Sequence, residues 1–334
     1  LHHELCEGIY LVHNLRIDKL TRERKEYESG KQGAGAMDWT PDNDSRDVED
    51  RRGDSGDGGG FGGGGFAGGS IGIVGFIILL VISLVTGHNF LGAFLHGGSV
   101  APTQQSEQMQ PMQHRAPQSS AAEKRDVQLV TFTLNDVQKT WAGIFEKEGR
   151  PYTHAKLVLF RGSTYSGCGT AQAATGPFYC PADKKVYIDL NFWDDLKRFG
   201  GSTTDFAQAY VIAHELGHHA QDLMGTENKL ELMDQREPSR RNHLSVDNEL
   251  QADCYAGVWA HSAQERGIVQ SGDVAAALSA AAAVGDDHLQ QMSGRAVSPE
   301  SWTHGSSAQR EHWFNQGFNS GDPASCNTFG SAIQ

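Results

Sequence analysis

Ser202-Thr203-Thr204-Asp205-Phe206-Ala207-Gln208-Ala209-Tyr210-Val211-Ile212-Ala213-His214-Glu215-Leu216-Gly217-His218-His219-Ala220-Gln221-Asp222-Leu223-Met224-Gly225 is the stretch from which the fold can be read. Ser202 and Asp205 have capping-box spacing, no proline interrupts the run that follows, and Gly225 suits the residue after a helix end, so the segment predicts one helix over 206–224. Within it His214 and His218 stand one turn apart, so both imidazoles leave one face and can grip one metal ion. Glu215 sits beside that face, within reach of a metal-bound water. His219 is rotated about 100° from His218 and belongs to another environment.

Downstream, the spacing predicts a second helix over 246–266 that carries Glu249-Leu250-Gln251-Ala252-Asp253. Glu249 and Asp253 again share a face. A catalytic zinc takes three protein ligands and keeps one open position, and two His plus one Glu is such a set, which makes Glu249 the third candidate ligand. Asp253, one turn later, suits a carboxylate that accepts from the non-ligating nitrogen of a zinc histidine. An alanine-rich helix over 273–284 and a last one over 307–315 complete the C-terminal half. Upstream, 127–148 has an apolar face of Phe132, Val137, Trp141, Ile144 and Phe145, and short strands are expected at 155–160, 176–180 and 185–190. A small sheet followed mostly by helices is an α+β arrangement.

The rest of the chain divides by composition. Its 334 residues carry a formal net charge of -13 and no basic stripe, which speaks against a nucleic-acid binder. Residues 1–36 precede the first methionine, Met37, and read as a non-native or disordered leader. Residues 37–70 read as an acidic, glycine-rich disordered segment, since 13 of the 40 glycines fall between Gly53 and Gly75. Residues 66–87 hold neither charge nor proline and predict one transmembrane helix, centred on 71–87, that anchors the chain in a lipid bilayer. Arg46, Arg51 and Arg52 precede it and the next basic residue is Arg115, so the expected orientation places the N-terminus in the cytoplasm and the bulk outside. Residues 88–126 read as a disordered tether and 127–334 as the folded domain.

Beyond Cys6, four cysteines remain, an even number that in an exported domain suggests two disulfides. Cys168 and Cys180 flank a short loop and form one expected pair, leaving Cys254 and Cys326 as the other. Free thiols in a cytosolic protein and zinc binding are the rival readings, although no C-x-x-C spacing exists.

The His-Glu-Leu-Gly-His run followed by Glu-Leu-Gln-Ala-Asp resembles the zincin metallopeptidases with a glutamate ligand. The wider pattern resembles a bacterial neutral zinc metallopeptidase family of single-pass membrane proteins. The resembling stretches are 43–53, Ser166-Gly167-Cys168-Gly169, 176–189, the two helices above, Gly285-Asp286-Asp287 and His304-Gly305-Ser306-Ser307-Ala308-Gln309-Arg310. The resemblance implies a zincin-like domain behind an inner-membrane anchor, facing the periplasm or exterior, with Zn2+ as cofactor and a peptide or protein as substrate. In that reading Glu215 is the general base. Either His304 or Arg310 would donate to the developing oxyanion, Arg310 being equally suited to hold a carboxylate such as Asp253 or Asp287. The competing reading is a zinc-stabilised, non-catalytic scaffold of the cell envelope; the presence of Glu215 favours the enzyme, because a structural site needs only ligands.

Overall fold

The computed structural model describes residues 37–41, 45–54, 120–172, 176–270 and 272–330. The elements in chain order are β1 (Val48–Asp50), α1 (Ala121–Lys147), β2 (Lys156–Phe160), β3 (Ser163–Ser166), β4 (Gly169–Gln172), β5 (Phe178–Cys180), β6 (Lys185–Asp189), α2 (Phe192–Arg198), α3 (Asp205–Met224), α4 (Thr226–Arg236), α5 (Arg241–Glu265), α6 (Asp273–Ala283), α7 (Asp286–Met292) and α8 (Ser307–Ser320). The sheet has the order β1-β2-β6-β5, with β1, β2 and β6 parallel and β5 antiparallel to β6, and β3–β4 form a separate hairpin. This is a mixed α+β architecture, as the sequence implies.

The helical layer forms around α3, which is buried along most of its length and packs against α1, α5 and α6. Trp141 of α1, Phe206 and Tyr210 of α3, Trp259 of α5 and Phe314 of α8 meet in the core. Truncating any one of these aromatic side chains to alanine would cost about 3–5 kcal/mol. The N-cap of α3 is Thr204, whose side chain accepts from the Ala207 N–H, and not Ser202, whose hydroxyl instead accepts from Thr204 N–H. A complete capping box occurs at α8, between Ser306 and Gln309.

Residues 37–41 and 45–54, expected to be disordered, are part of the fold. Met37 lies in the core, Asp38 N–H donates to the Ile268 carbonyl, and Trp39 Nε1 donates to Asp205 Oδ2 at 2.7 Å. β1 adds to the sheet edge through the register Val48–Leu157, Glu49–Val158 and Asp50–Leu159. The charges that suggested a solvated segment are paired with side chains remote in sequence. Asp47 meets His154 at 2.8 Å, Glu49 meets Lys185 at 2.9 Å, and Arg52 meets Glu123 at 2.8 Å. The tether is also shorter than expected, because α1 starts at Ala121 with Ser120 as its N-cap.

The contact of Arg52 with Glu123 has a topological consequence. It joins the last described turn before residue 55 to the first turn of α1, so the chain leaves and re-enters the fold at one place. The expected span at 71–87, the leader 1–36 and the tether up to 119 lie outside the described residues. Among the described residues no helix is long and apolar enough to cross a membrane.

Candidate metal centre

α3 and α5 bring the candidate ligands together because they approach closely. A Cβ on Gly217 would lie 3.0 Å from the Ala252 carbonyl oxygen, so glycine at this position lets the α5 backbone come against α3 beside His218. His214 Nε2 then stands 3.2 Å from Glu249 Oε2, and His218 Nε2 stands 3.5 Å from Glu249 Oε1. One ligand atom from each of His214, His218 and Glu249 lies within 4.8 Å of the others. Two imidazole nitrogens and one carboxylate oxygen so placed fit a zinc ion.

The outward nitrogens are fixed from behind. His214 Nδ1 donates to Asp253 Oδ1 at 2.9 Å, while Arg310 donates to both oxygens of Asp253, through Nε at 2.7 Å and Nη2 at 2.9 Å. Tyr210 OH donates to Asp253 Oδ1 at 2.5 Å. His218 Nδ1 donates to Gln221 Oε1 at 2.8 Å. With both Nδ1 atoms occupied as donors, each Nε2 is the atom left for a metal.

The charges in the cluster follow from the same contacts. Burial opposes ionisation of Asp253, yet Arg310 and His214 outweigh it and hold its pKa down at about 2. Burial likewise opposes the charged forms of Glu249 and His214. The two histidines keep Glu249 well below the usual carboxylate range, and Asp253 raises His214 to about 10. Glu215, 7% exposed, is pushed up by burial. A carboxyl group raised in this way is a stronger base than an exposed one.

Of the two oxyanion candidates, Arg310 is committed to Asp253. A Cβ on Gly317 would meet the Cys254 carbonyl oxygen at 1.9 Å, and one on Gly257 the Phe314 carbonyl oxygen at 2.1 Å. Paired glycines thus let α8 lie against α5 and deliver the guanidinium to the carboxylate. His304 lies in the loop before α8. Asp286, at the start of α7, clamps that loop: its Oδ2 accepts the backbone N–H groups of Thr303, His304 and Gly305 at 2.7, 2.6 and 3.0 Å. Its Oδ1 stands 3.3 Å from His304 Nδ1. Ser245 of α5 pins the same loop by donating to the Thr303 carbonyl at 2.8 Å. His304 is close enough for its charge to stabilise the Glu249 carboxylate.

His219 is set apart from the site: its Nε2 donates to the Thr153 carbonyl at 2.6 Å. Cys168–Cys180 and Cys254–Cys326 are disulfides, with Cα–Cα distances of 5.8 and 5.7 Å. Sequence reasoning overlooked Tyr210, Gln221 and the part played by Asp286. Tyr210 lies one turn before His214 and Gln221 three residues after His218, so helical spacing carried a signal for both. Asp286 stood in the Gly285-Asp286-Asp287 stretch of the resemblance, which marked the residue without the loop it holds.

The model of the family described as "Putative neutral zinc metallopeptidase" matches residues 37–329. The chain belongs to this family. It is 48% identical over 298 residues to "Uncharacterized protein YpfJ" of Escherichia coli K12, covering 89% of this chain and all of that protein. It is 42% identical over 214 residues to "Uncharacterized protein Rv2575" of Mycobacterium tuberculosis H37Rv, covering 61% of this chain and 70% of that protein. No solved structure matches.

Proposed function

We propose that the protein is a zinc-dependent peptidase that hydrolyses peptide bonds of peptides or proteins. The observation that carries this reading is the His214–His218–Glu249 cluster, His214 buried and the other two half-buried, with both Nδ1 atoms engaged and the carboxyl of Glu215 on the helix that carries the two histidines. Zinc held there would supply a water of pKa lowered toward ~7 and Lewis acidity toward a scissile carbonyl. Glu215 takes the proton of the attacking water and passes it to the leaving amine, which its burial-raised pKa favours. His304, whose pKa Asp286 and Glu249 raise against burial, turns Nδ1–H to Asp286 and, in its protonated form, keeps Nε2–H as donor to the developing oxyanion. Arg310 and Tyr210 hold Asp253, which orients His214.

Glu215→Gln tests the reading, since it preserves shape and leaves the ligands in place. The variant is expected to retain one zinc per chain and to lose at least 10²-fold in cleavage of a peptide library. Zinc uptake by both proteins with no cleavage by either would support the scaffold reading.

Location belongs to the same proposal. Two disulfides fit an extracytoplasmic compartment, and the apolar stretch 66–87 supports contact with a bilayer. Because Arg52 touches Glu123, both flanks of that stretch face the same compartment. Single cysteines placed at residue 40 and at residue 316 in intact cells should label equally with a membrane-impermeant maleimide. Labelling of one alone would sink this arrangement.

A further inference from the structure

The support of His218 is a chain of hydrogen bonds with a direction. It starts at two backbone carbonyls, which only accept. Gln251 Nε2 donates to the Cys326 carbonyl at 2.9 Å, which turns Gln251 Oε1 toward Gln221. Gln221 Nε2 donates to that oxygen at 3.0 Å and to the Asn248 carbonyl at 2.8 Å, which leaves Gln221 Oε1 to face His218 Nδ1. Reversing either amide would set its oxygen against a backbone carbonyl, acceptor against acceptor. An amide oxygen cannot donate, so the proton of the neutral His218 ring sits on Nδ1 and the lone pair on Nε2, the nitrogen that faces Glu249.

No solvent competes for these groups. Gln221 is 0% and Gln251 9% exposed. Cys326, 1% exposed, is bonded to Cys254 of α5, the neighbour of Asp253, across 72 residues of sequence. The disulfide therefore fixes the carbonyl at which one arm of the chain begins.

We propose that Gln221 and Gln251 are positioning residues that set the tautomer of His218 for metal binding, anchored by the Cys254–Cys326 disulfide. The inference rests on the zinc reading above. Gln221 is oriented from two sides, by Asn248 and by Gln251, so losing Gln251 or the anchor loosens the chain, whereas losing Gln221 removes it. Partners behind metal ligands are typically worth 10–100-fold in affinity.

The test is zinc affinity, measured by competition with a chromogenic chelator on the full chain. Gln221→Leu is expected to weaken binding about 10–100-fold, and Gln251→Leu several-fold. The pair Cys254→Ser with Cys326→Ser, which leaves Cys168–Cys180 intact, should weaken binding several-fold in the wild-type background and add nothing in the Gln251→Leu background. A disulfide acting only through general stability would weaken zinc equally in both. That result, or Gln221→Leu within twofold of the wild type, overturns the proposal. If the serine pair does not fold, the two leucine variants decide: the predicted order of loss supports the proposal, and equal or absent losses refute it. Failure of the wild type itself to take up zinc would fell the functional reading along with this one, whereas normal uptake with unaffected variants fells this one alone.

Discussion

His214 and His218 occupy equivalent places on one helix, yet the structure backs them with opposite chemistry. Behind His214 stand an ionised carboxylate, a guanidinium and a phenol, all nearly or wholly buried. Behind His218 stand two neutral amides that end on backbone carbonyls. A buried charge left alone costs far more than a buried amide left alone. The first support thus holds only as a complete set, while the second can lose a member and degrade by degrees. The difference also follows the helices. The charged set ties α3, α5 and α8 together, whereas the amide chain ties the two ligand helices to the C-terminal tail.

The comparison breaks most visibly at Asp253. Asp253→Ala would leave the Arg310 guanidinium buried without a counter-charge and the Tyr210 hydroxyl without its acceptor. It is expected to destabilise the fold by about 3–5 kcal/mol in chemical denaturation. Gln221→Leu, which strands only uncharged groups, should cost about 1–2 kcal/mol in the same assay. Equal costs for the two variants would mean that the supports do not differ in the way proposed.

Which parts were legible in the sequence follows from how local their causes are. α3 announces itself through its uninterrupted run and terminal Gly225, and the ligand pairs follow from helical spacing of three to four residues. The two disulfides followed from counting cysteines and their separation. β1 was illegible because three residues give no periodicity, and because Asp47, Glu49 and Arg52 look solvated until their partners His154, Lys185 and Glu123 are brought from more than 70 residues away. The clamp of Asp286 on the His304 loop is illegible for a related reason, since one carboxylate oxygen meets three consecutive backbone N–H groups that no side-chain pattern marks.

Acid separates the two supports more gently. The pKa of Asp253 lies near 2 in the fold, held down by Arg310 and His214 against burial, compared with 3.8 when free. A depressed carboxylate stabilises the fold fully above its unfolded pKa, and that contribution disappears as pH falls through the folded value. The charged support should therefore weaken between about pH 4 and pH 2, by about 2 kcal/mol, while the amide chain has no carboxylate to protonate. Stability measured against pH in chelator-stripped protein isolates the effect when wild type is compared with Asp253→Asn, because every other carboxylate cancels in the difference. The wild-type curve should fall more steeply over this window by about that amount. Parallel curves would show that Asp253 draws no stability from its charge, and the contrast between the two histidines would then reduce to one of geometry.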